Sequence, residues 1–455
     1  MFDIERAREL FKKHPIKQIT WYPDYPEKTH WTNPFSHSDF EAGLRSFHAK
    51  PTSLLYLHMP YCPKLCLFCN CKKVITSDYT KVHNYMDWLY REMRMHINFC
   101  RDNGLTPNIS EIHLGGGSPD YISKEDFRSY MDNIRMFVGW DNIREISMEI
   151  DPRHAKPDDM RFYHSMGINR VSFGIQDFDP DVQKDIDRIQ PDFLVARLIV
   201  PEIRNLFPHG INFDIMFGLP RQTLDSFRKT INKVIELSPD RISLLRMNMT
   251  PKYFPHQLQM SVDKIPDPLI TRELLHNAVQ MLTANGYVRT AFDHFAKPDD
   301  DVAKAKEAGE MKWGSFGCTA GRYQDVLALG NSGFSRFPRH SVQSVYEIEG
   351  WSQMISENKF PILRGHILSD DDLIRRDVTQ HLRSNSSIQY ESVEREHGID
   401  FKNYFVRELE RIAQLAEDGL VEIRSDGFEM TEFGSLFADF IAENFDAYIY
   451  KTARS

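Results

Sequence analysis

The sequence predicts an α/β chain: a partial, open (β/α)6 barrel followed by a mostly helical C-terminal domain with a winged-helix pattern. Three observations carry that expectation. Strand-like and helix-like patterns alternate from about residue 52 to about residue 246, the order that parallel β/α units require. Six strand candidates are present, too few for a closed eight-fold barrel. From about residue 369 the pattern turns helical and then ends in a hairpin signature.

The six strand candidates are SLLYLHM (53–59), SEIHLGG (110–116), EISMEID (145–151), RVSFGIQ (170–176), INFDIMFG (211–218) and RISLLRM (241–247). Between them lie helical stripes. Val82, Met86, Leu89, Tyr90, Met93, Ile97 and Cys100 recur at spacings of three and four, which puts them on one face of a long helix. Leu224, Phe227, Ile231, Val234 and Ile235 repeat the pattern after Thr223, a residue suited to cap a helix start. The Pro- and Asp-rich stretch DKIPDPLITRE (263–273) separates this core from a second region. There a helix near 270–285, a strand over YVRTAFDHFAKP (287–298) and a Gly-rich segment at 309–334 are expected. Phe405, Leu409, Ile412 and Ala416 share a helix face that stops at Gly419, and LVEIRSDGFEMT (420–431) reads as a hairpin turning at Asp426-Gly427. Acids are interspersed throughout this winged-helix pattern, which favours a packing or lid role over nucleic-acid binding. The expected division is an N-terminal extension (1–50), a core (51–250), a core extension and linker (251–365) and a C-terminal helical domain (366–455).

Composition narrows the setting. With 41% hydrophobic and 27% charged residues the chain can bury a large core. No apolar stretch is long enough to span a bilayer, and the opening MFDIERARELFKKHP lacks the order of a secretory signal, so a cytoplasmic protein is expected. The formal charge of −9 gives no basic footprint for nucleic acid.

Four of the six cysteines fall in CPKLCLFCNC (62–71), right after the first strand candidate. A chain this size gains no disulfide framework from them. Three readings compete. Structural zinc prefers paired C-x2-C units or a distant His pair, and the remaining Cys100 and Cys318 are isolated. A redox dithiol of Cys66 and Cys69 would leave Cys62 and Cys71 unexplained. Cys62, Cys66 and Cys69, spaced C-x3-C-x2-C, suit an iron–sulfur cube held at three corners, with the fourth iron free for another ligand.

With Phe68 before the third cysteine, the segment resembles the radical S-adenosylmethionine superfamily. The resemblance implies a [4Fe-4S] cluster whose open iron is chelated by S-adenosylmethionine, and one-electron cleavage of the sulfonium to a 5'-deoxyadenosyl radical. HLGGGSP (113–119) is similar to the superfamily's glycine motif. Its Gly115, Gly116 and Gly117 would let backbone approach a ligand closely. Glu149 ends its strand either as a hydrogen-bond acceptor for that ligand or as a solvated carboxylate.

The likeness sharpens to one family, the oxygen-independent coproporphyrinogen III oxidases. YLHMPYCPKLCLFCNCKKVIT (56–76), EIDPR, GIQDF, FDIMFGLPRQT, DHFAKPDD, IRRDV, LAEDGLVE and FDAYIYKTA all resemble family segments, and the family keeps Cys71 although only three cysteines ligate. By that resemblance Tyr56, Gly116, Glu149, Asn248 and Phe334 line the cluster-bound S-adenosylmethionine. Phe68, Gly117, Ser118, Gln176, Arg188 and Asp214 line a second molecule of it, or the substrate space it marks. His58, on the same face as Tyr56, either orders the loop or is a satisfied core histidine, while Cys100 and Cys318 are plain core or loop thiols.

The resemblance implies conversion of coproporphyrinogen III to protoporphyrinogen IX without oxygen, in porphyrin and haem biosynthesis. It also implies a tetrapyrrole substrate, an electron-donor protein such as a flavodoxin or ferredoxin, and a monomer. Arg246, Arg188, Arg170, Lys72 and Lys73 are candidate clamps for the tetra-carboxylate. Three segments depart from the family pattern: ITWYPDYP (19–26), RMNMTP (246–251) and SFGCTAG (315–321). These would border substrate, so a paralogue acting on another tetrapyrrole, as a haem-opening methyltransferase or haem chaperone, is the alternative. A non-catalytic metal-binding interaction protein is a more distant one.

Overall fold

The computed structural model describes residues 2–13, 24–31, 33–49, 53–321 and 325–452. Most of the divergent opening segment, residues 19–23, lies outside them. The chain folds as two compact units, each assembled from separated stretches: Met1–Thr32, Pro266–Gly321 and Leu368–Ser455 in the first, Asn33–Ile265 and Arg322–Ile367 in the second. The four consecutive segments read from the sequence therefore follow chain order rather than these units. Strand pairing is the physical reason, because a late strand returns to the edge of an early one.

The second unit holds the barrel. Its strands are β1 (Leu54–Met59), β2 (Glu111–Gly116), β3 (Glu145–Ile150), β4 (Arg170–Gln176), β5 (Ile211–Phe217), β6 (Arg241–Arg246), β7 (Val326–Leu329), β8 (Phe334–Arg336), β9 (His340–Ser344) and β10 (Ile362–Ile367). All six expected strands form, within a residue or so of their expected limits. β1 to β6 are consecutive parallel neighbours. On the free side of β1 the late strand β7 also pairs parallel, Leu54 opposite Val326, and β8, β9 and β10 extend that side antiparallel.

Helices cover the sheet. α1 (Tyr79–Asp102) starts where the Asp78 side chain accepts the Thr80 N–H, and α2 (Leu224–Leu237) where Thr223 accepts the Ser226 N–H. The expected faces are the buried ones: Val82, Met86, Leu89, Met93 and Cys100 on α1, Phe227, Ile231 and Val234 on α2. Tyr85, Glu92 and His96 widen the α1 stripe. Every strand of the β1–β6 set ends, at its C-terminal edge, in a segment that reaches one cavity.

In the first unit, helix Pro268–Ala284 is pinned by Arg272, which forks onto Asp439 at 2.9 and 3.0 Å in a buried setting. The expected strand over 287–298 is instead two antiparallel strands, Val288–Ala291 and His294–Ala296. The chain reverses at Phe292-Asp293, and strong β-formers on both sides hide that reversal in the sequence. The C-terminal part carries helices Asp370–Asn385, Tyr390–His397 and Val406–Glu417 with a three-stranded antiparallel sheet, as the winged-helix pattern predicts. Its hairpin turns at Ser425-Asp426, one residue earlier than expected, with Arg424 and Gly427 hydrogen-bonded across it at 2.8 Å. Gly427 serves the sheet instead: a Cβ there would overlap the Ile388 carbonyl.

Candidate functional site

A cavity of about 340 Å³ opens at the C-terminal ends of the parallel strands. The cysteine loop forms one wall. Its lining includes Cys62, Cys66, Cys69, Phe68, Gly116, Gly117, Ser118, Glu149, Gln176, Arg188, Asp214 and Asn248, so residues spread over most of the core arrive at one place. Tyr56 and Phe334 do not line it. Tyr56 is buried one level down, its hydroxyl 3.1 Å from His58 Nδ1 and its ring stacked on His113, and Phe334 is buried in β8.

The glycines explain how the loop is seated. Gly117 donates to the Met59 carbonyl at 2.6 Å and Ser118 to that of Tyr61 at 2.9 Å, so the turn after β2 lies directly on the chain after β1. A Cβ on Gly117 would sit 2.7 Å from the Tyr61 oxygen, and one on Gly116, at φ +115°, would sit 2.5 Å from His58 Nδ1. The close approach is of backbone to backbone at Gly117 and of backbone to the His58 ring at Gly116. His58 completes the seat, with Nε2 3.1 Å from the Lys72 carbonyl.

The far side of the loop is clasped chiefly by Gln257 and His256, which the sequence did not single out. Gln257, fully buried, donates through Nε2 to the carbonyls of Phe68 at 3.2 Å and Asn248 at 3.0 Å. His256 Nε2 lies 2.9 Å and Lys73 Nζ 3.0 Å from the Cys69 carbonyl. Leu67 and Phe68 pack on an apolar pad of Val182, Ile186, Met216, Leu219, Met247 and Met260. The contacts of His256 and Gln257 have no motif signal, because partners so distant in sequence leave no spacing to read.

The sulfurs differ in their surroundings. Burial pushes the Cys62 thiol up to about 12, against a hydrogen bond from Ser118. Cys69 is held down to about 6 by its hydrogen bond with Cys71 and by the Lys73 cation, while Cys71 is raised by the same pairing. Cys66 receives guanidinium N–H groups from Arg188 at 3.3 Å and Arg153 at 3.4 Å.

Opposite the loop stands Glu149. Burial acts to raise its carboxyl, but hydrogen bonds from His113 (3.2 Å) and the Gly116 N–H (3.1 Å) outweigh that and hold it below its ordinary value. His113 is fixed in turn by the Ser147 hydroxyl at 2.6 Å. Asp214 is raised by burial and by Glu149, and accepts from Ser172 at 3.0 Å and Asn212 at 2.8 Å. Gln176 sits at φ +69° where the β4–β5 register shifts, with its Oε1 buried and without a hydrogen-bond partner. A strained backbone carrying an unpaired acceptor beside a cavity is a mark of a ligand site.

The donor set fits an iron–sulfur cluster. One ion needs its ligand atoms close together. Among the described residues a trio with all such atoms within 4.8 Å of one another occurs at Asp377, Glu396 and His397, not at the cysteines. Three separated sulfurs around a cavity suit a larger inorganic core. All six cysteines are free.

The clamp candidates separate on position. Arg170 begins β4, at the opposite end of the strand from the cavity, and its Nε is 2.6 Å from Glu145. It is not a clamp. Lys72 pairs with Glu347 at 2.6 Å and Lys73 holds loop carbonyls. Arg188 is committed to the Gly174 carbonyl, Asp151 and Cys66. Arg246, at the C-terminal end of β6, lines the cavity.

Comparison with known proteins agrees with this arrangement. Residues 56–234 match the Radical SAM superfamily and residues 368–437 the HemN C-terminal domain. The chain is 33% identical over 433 residues to an oxygen-independent coproporphyrinogen III oxidase of Salmonella typhimurium, covering 95% of this chain and 93% of that one. It is 35% identical to one from Pseudomonas aeruginosa over 87% and 85% of the two chains. The solved coproporphyrinogen III oxidase (HemN) of Escherichia coli, described as a radical SAM enzyme, superposes with a TM-score of 0.87 at 32% identity, over 94% of this chain and 97% of that one.

Proposed function

The chain belongs to the oxygen-independent coproporphyrinogen III oxidase family, and from that premise we propose how its residues divide the work of converting coproporphyrinogen III to protoporphyrinogen IX. The enzyme is a radical S-adenosylmethionine oxidoreductase of porphyrin biosynthesis. A [4Fe-4S] cluster with S-adenosylmethionine supplies, when bound, a carbon-centred radical that takes a hydrogen atom from a propionate β-carbon. The substrate radical then loses carbon dioxide and passes one electron to a separate electron acceptor, leaving a vinyl group, and the sequence is repeated on a second propionate.

Cys62, Cys66 and Cys69 hold the cluster, and Cys71 is not a ligand. Glu149, ionised and fixed by His113 and Gly116, accepts hydrogen bonds from the amino or ribose groups of S-adenosylmethionine. Gln176 Oε1 and the Asp214 carboxylate accept from hydroxyl or ammonium donors deeper in the cavity. Phe68 and Met216 supply apolar walls that exclude water. Arg246 is the cation best placed for a substrate carboxylate. Beneath the cavity Tyr56 supports the loop through His58, and Phe334 supports the sheet beside it.

The observation that carries this reading is the convergence of three cysteine thiols, the glycine turn and an ionised glutamate on one cavity. An electron-donor protein of the flavodoxin or ferredoxin kind supplies the reducing equivalent. A monomer in the cytoplasm is the proposed state, because six free thiols suit a reducing compartment. No helix among the described residues is long and apolar enough to cross a membrane. The test is an anaerobic assay of reconstituted enzyme with coproporphyrinogen III and S-adenosylmethionine. Release of carbon dioxide with appearance of vinyl product is expected. Cofactor cleavage without decarboxylation, or haem binding without turnover, would instead favour a paralogue acting on another tetrapyrrole.

A further inference from the structure

The three cysteines in the 62–69 loop differ in their donors, and Lys73 adds a cation beside Cys69. Ser118 Oγ lies 3.7 Å from Cys62 Sγ and the Cys71 N–H 3.4 Å from Cys69 Sγ. Cys66 is different, with Arg153 Nη2 at 3.4 Å and Arg188 Nη1 at 3.3 Å from its sulfur. Both guanidiniums are buried, with side chains 9% and 8% exposed, and Asp151 lies between them, 2.6 Å from Arg153 Nη2 and 3.4 Å from Arg188 Nη2.

The two arginines and Asp151 leave one positive charge in excess, facing the Cys66 sulfur. The next carboxyl, Asp120, accepts the Asp151 N–H at 3.1 Å, and burial together with Asp151 pushes it up to about 8, so it keeps its proton at neutral pH. Asp120 therefore does little to cancel the excess. In a water-poor setting a full charge at hydrogen-bond distance acts strongly.

Both features favour added negative charge on the sulfur side. Hydrogen bonds to ligand sulfurs and nearby charge are the means by which a protein sets an iron–sulfur potential. We propose that Arg153, oriented by Asp151 and acting together with Arg188, is a positioning residue that raises the reduction potential of the cluster through the Cys66 sulfur. This rests on the assignment of Cys62, Cys66 and Cys69 as cluster ligands. It assigns roles to Asp151 and Arg153 that no spacing in the sequence marks, and it explains why Arg188 is unavailable as a substrate clamp.

The test is a potentiometric titration of the reconstituted holoenzyme followed by electron paramagnetic resonance, with iron and sulfide content measured first. If the wild-type protein takes up no cluster, the ligand assignment itself fails, whatever the arginines do. With the cluster loaded, Arg153→Gln shifts the potential to more negative values, and Asp151→Asn, which removes the counter-charge, shifts it to more positive ones. A tenfold change in the oxidised-to-reduced ratio, about 59 mV for one electron, is the shift to look for. Arg153→Lys keeps the charge but loses the fork, so its shift is negative and smaller. It carries the test if Arg153→Gln does not fold. Opposite signs for the two charge changes are what a structural role does not produce. Equal shifts of one sign, or potentials unchanged in loaded variants, overturn the proposal.

Discussion

The Glu149 carboxylate and the Gly116 amide are joined at 3.1 Å, so the end of β3 and the glycine turn after β2 act as one hydrogen-bonded piece. Removing the charge leaves that backbone donor with a weaker acceptor and removes the anionic partner of the ligand. Glu149→Gln is expected to weaken S-adenosylmethionine binding at least tenfold, about 1.4 kcal/mol, in equilibrium dialysis of the anaerobic protein. His113→Ala, which loosens the same carboxylate, should give a smaller loss in the same direction. Equal affinity in both variants would remove Glu149 from the binding role.

Gly117 has backbone on its open side. Gly117→Ala puts a Cβ 2.7 Å from the Tyr61 carbonyl oxygen, and the loop carrying Cys62 must shift to relieve it. Iron content after reconstitution should fall markedly, with a stability loss of about 1–3 kcal/mol by denaturant unfolding. Normal iron content would show that the loop adjusts freely.

Arg246 and Arg170 make a matched pair of substitutions. Arg246→Ala should raise KM for coproporphyrinogen III tenfold or more while leaving cluster content intact. Arg170→Ala, at the far end of the barrel, should leave KM unchanged and lower stability, because it takes a guanidinium away from the buried Glu145. Steady-state kinetics and thermal unfolding distinguish the two.

Cys71 donates its backbone N–H to Cys69 Sγ at 3.4 Å and is not assigned as a ligand. Cys71→Ser should retain iron and the visible absorption of the cluster, whereas serine at Cys62, Cys66 or Cys69 should abolish both. Loss of the cluster in Cys71→Ser would make Cys71 a ligand and reopen the three-corner assignment.

Glu92 lies buried on α1, accepts the Gly330 N–H at 2.8 Å and is pushed up to about 8 by burial. A carboxyl that holds its proton more tightly when folded costs stability as pH rises from the ordinary carboxylate range, about 4.3, towards the folded value. Glu92→Gln mimics the protonated acid. It should raise the unfolding midpoint, with the gain small at pH 5 and larger at pH 8. A gain independent of pH would mean that Glu92 titrates normally.

The barrel was legible because its rules are local. Alternation along each strand, helical spacing of Val82 to Cys100 and the Thr223 cap each need only a short window, and each is realised in the structure. The cysteines, glycines and Glu149 were legible for another reason, since their types at those spacings have few other uses. What stayed hidden depends on distance along the chain. Gln257 reaching Phe68 and Arg153 reaching Cys66 join segments with no shared periodicity. The reversal at Phe292-Asp293 was missed because the β-formers on both sides mask Asp293, a lone turn former there. Arg170 looked suitable by charge alone, and only the direction of β4 reveals which end of the barrel it serves.

The pairing of β1 with β7 sets an order of events during synthesis. Leu54 leaves the ribosome roughly 270 residues before Val326, its parallel neighbour, and long-range parallel pairing is a slow step. The edge of β1 therefore stays open on the nascent chain until most of the polypeptide has emerged. An unpaired, apolar strand edge of that kind invites association with other chains, so chaperone demand during expression should fall on this protein early and last until residue 367 is out.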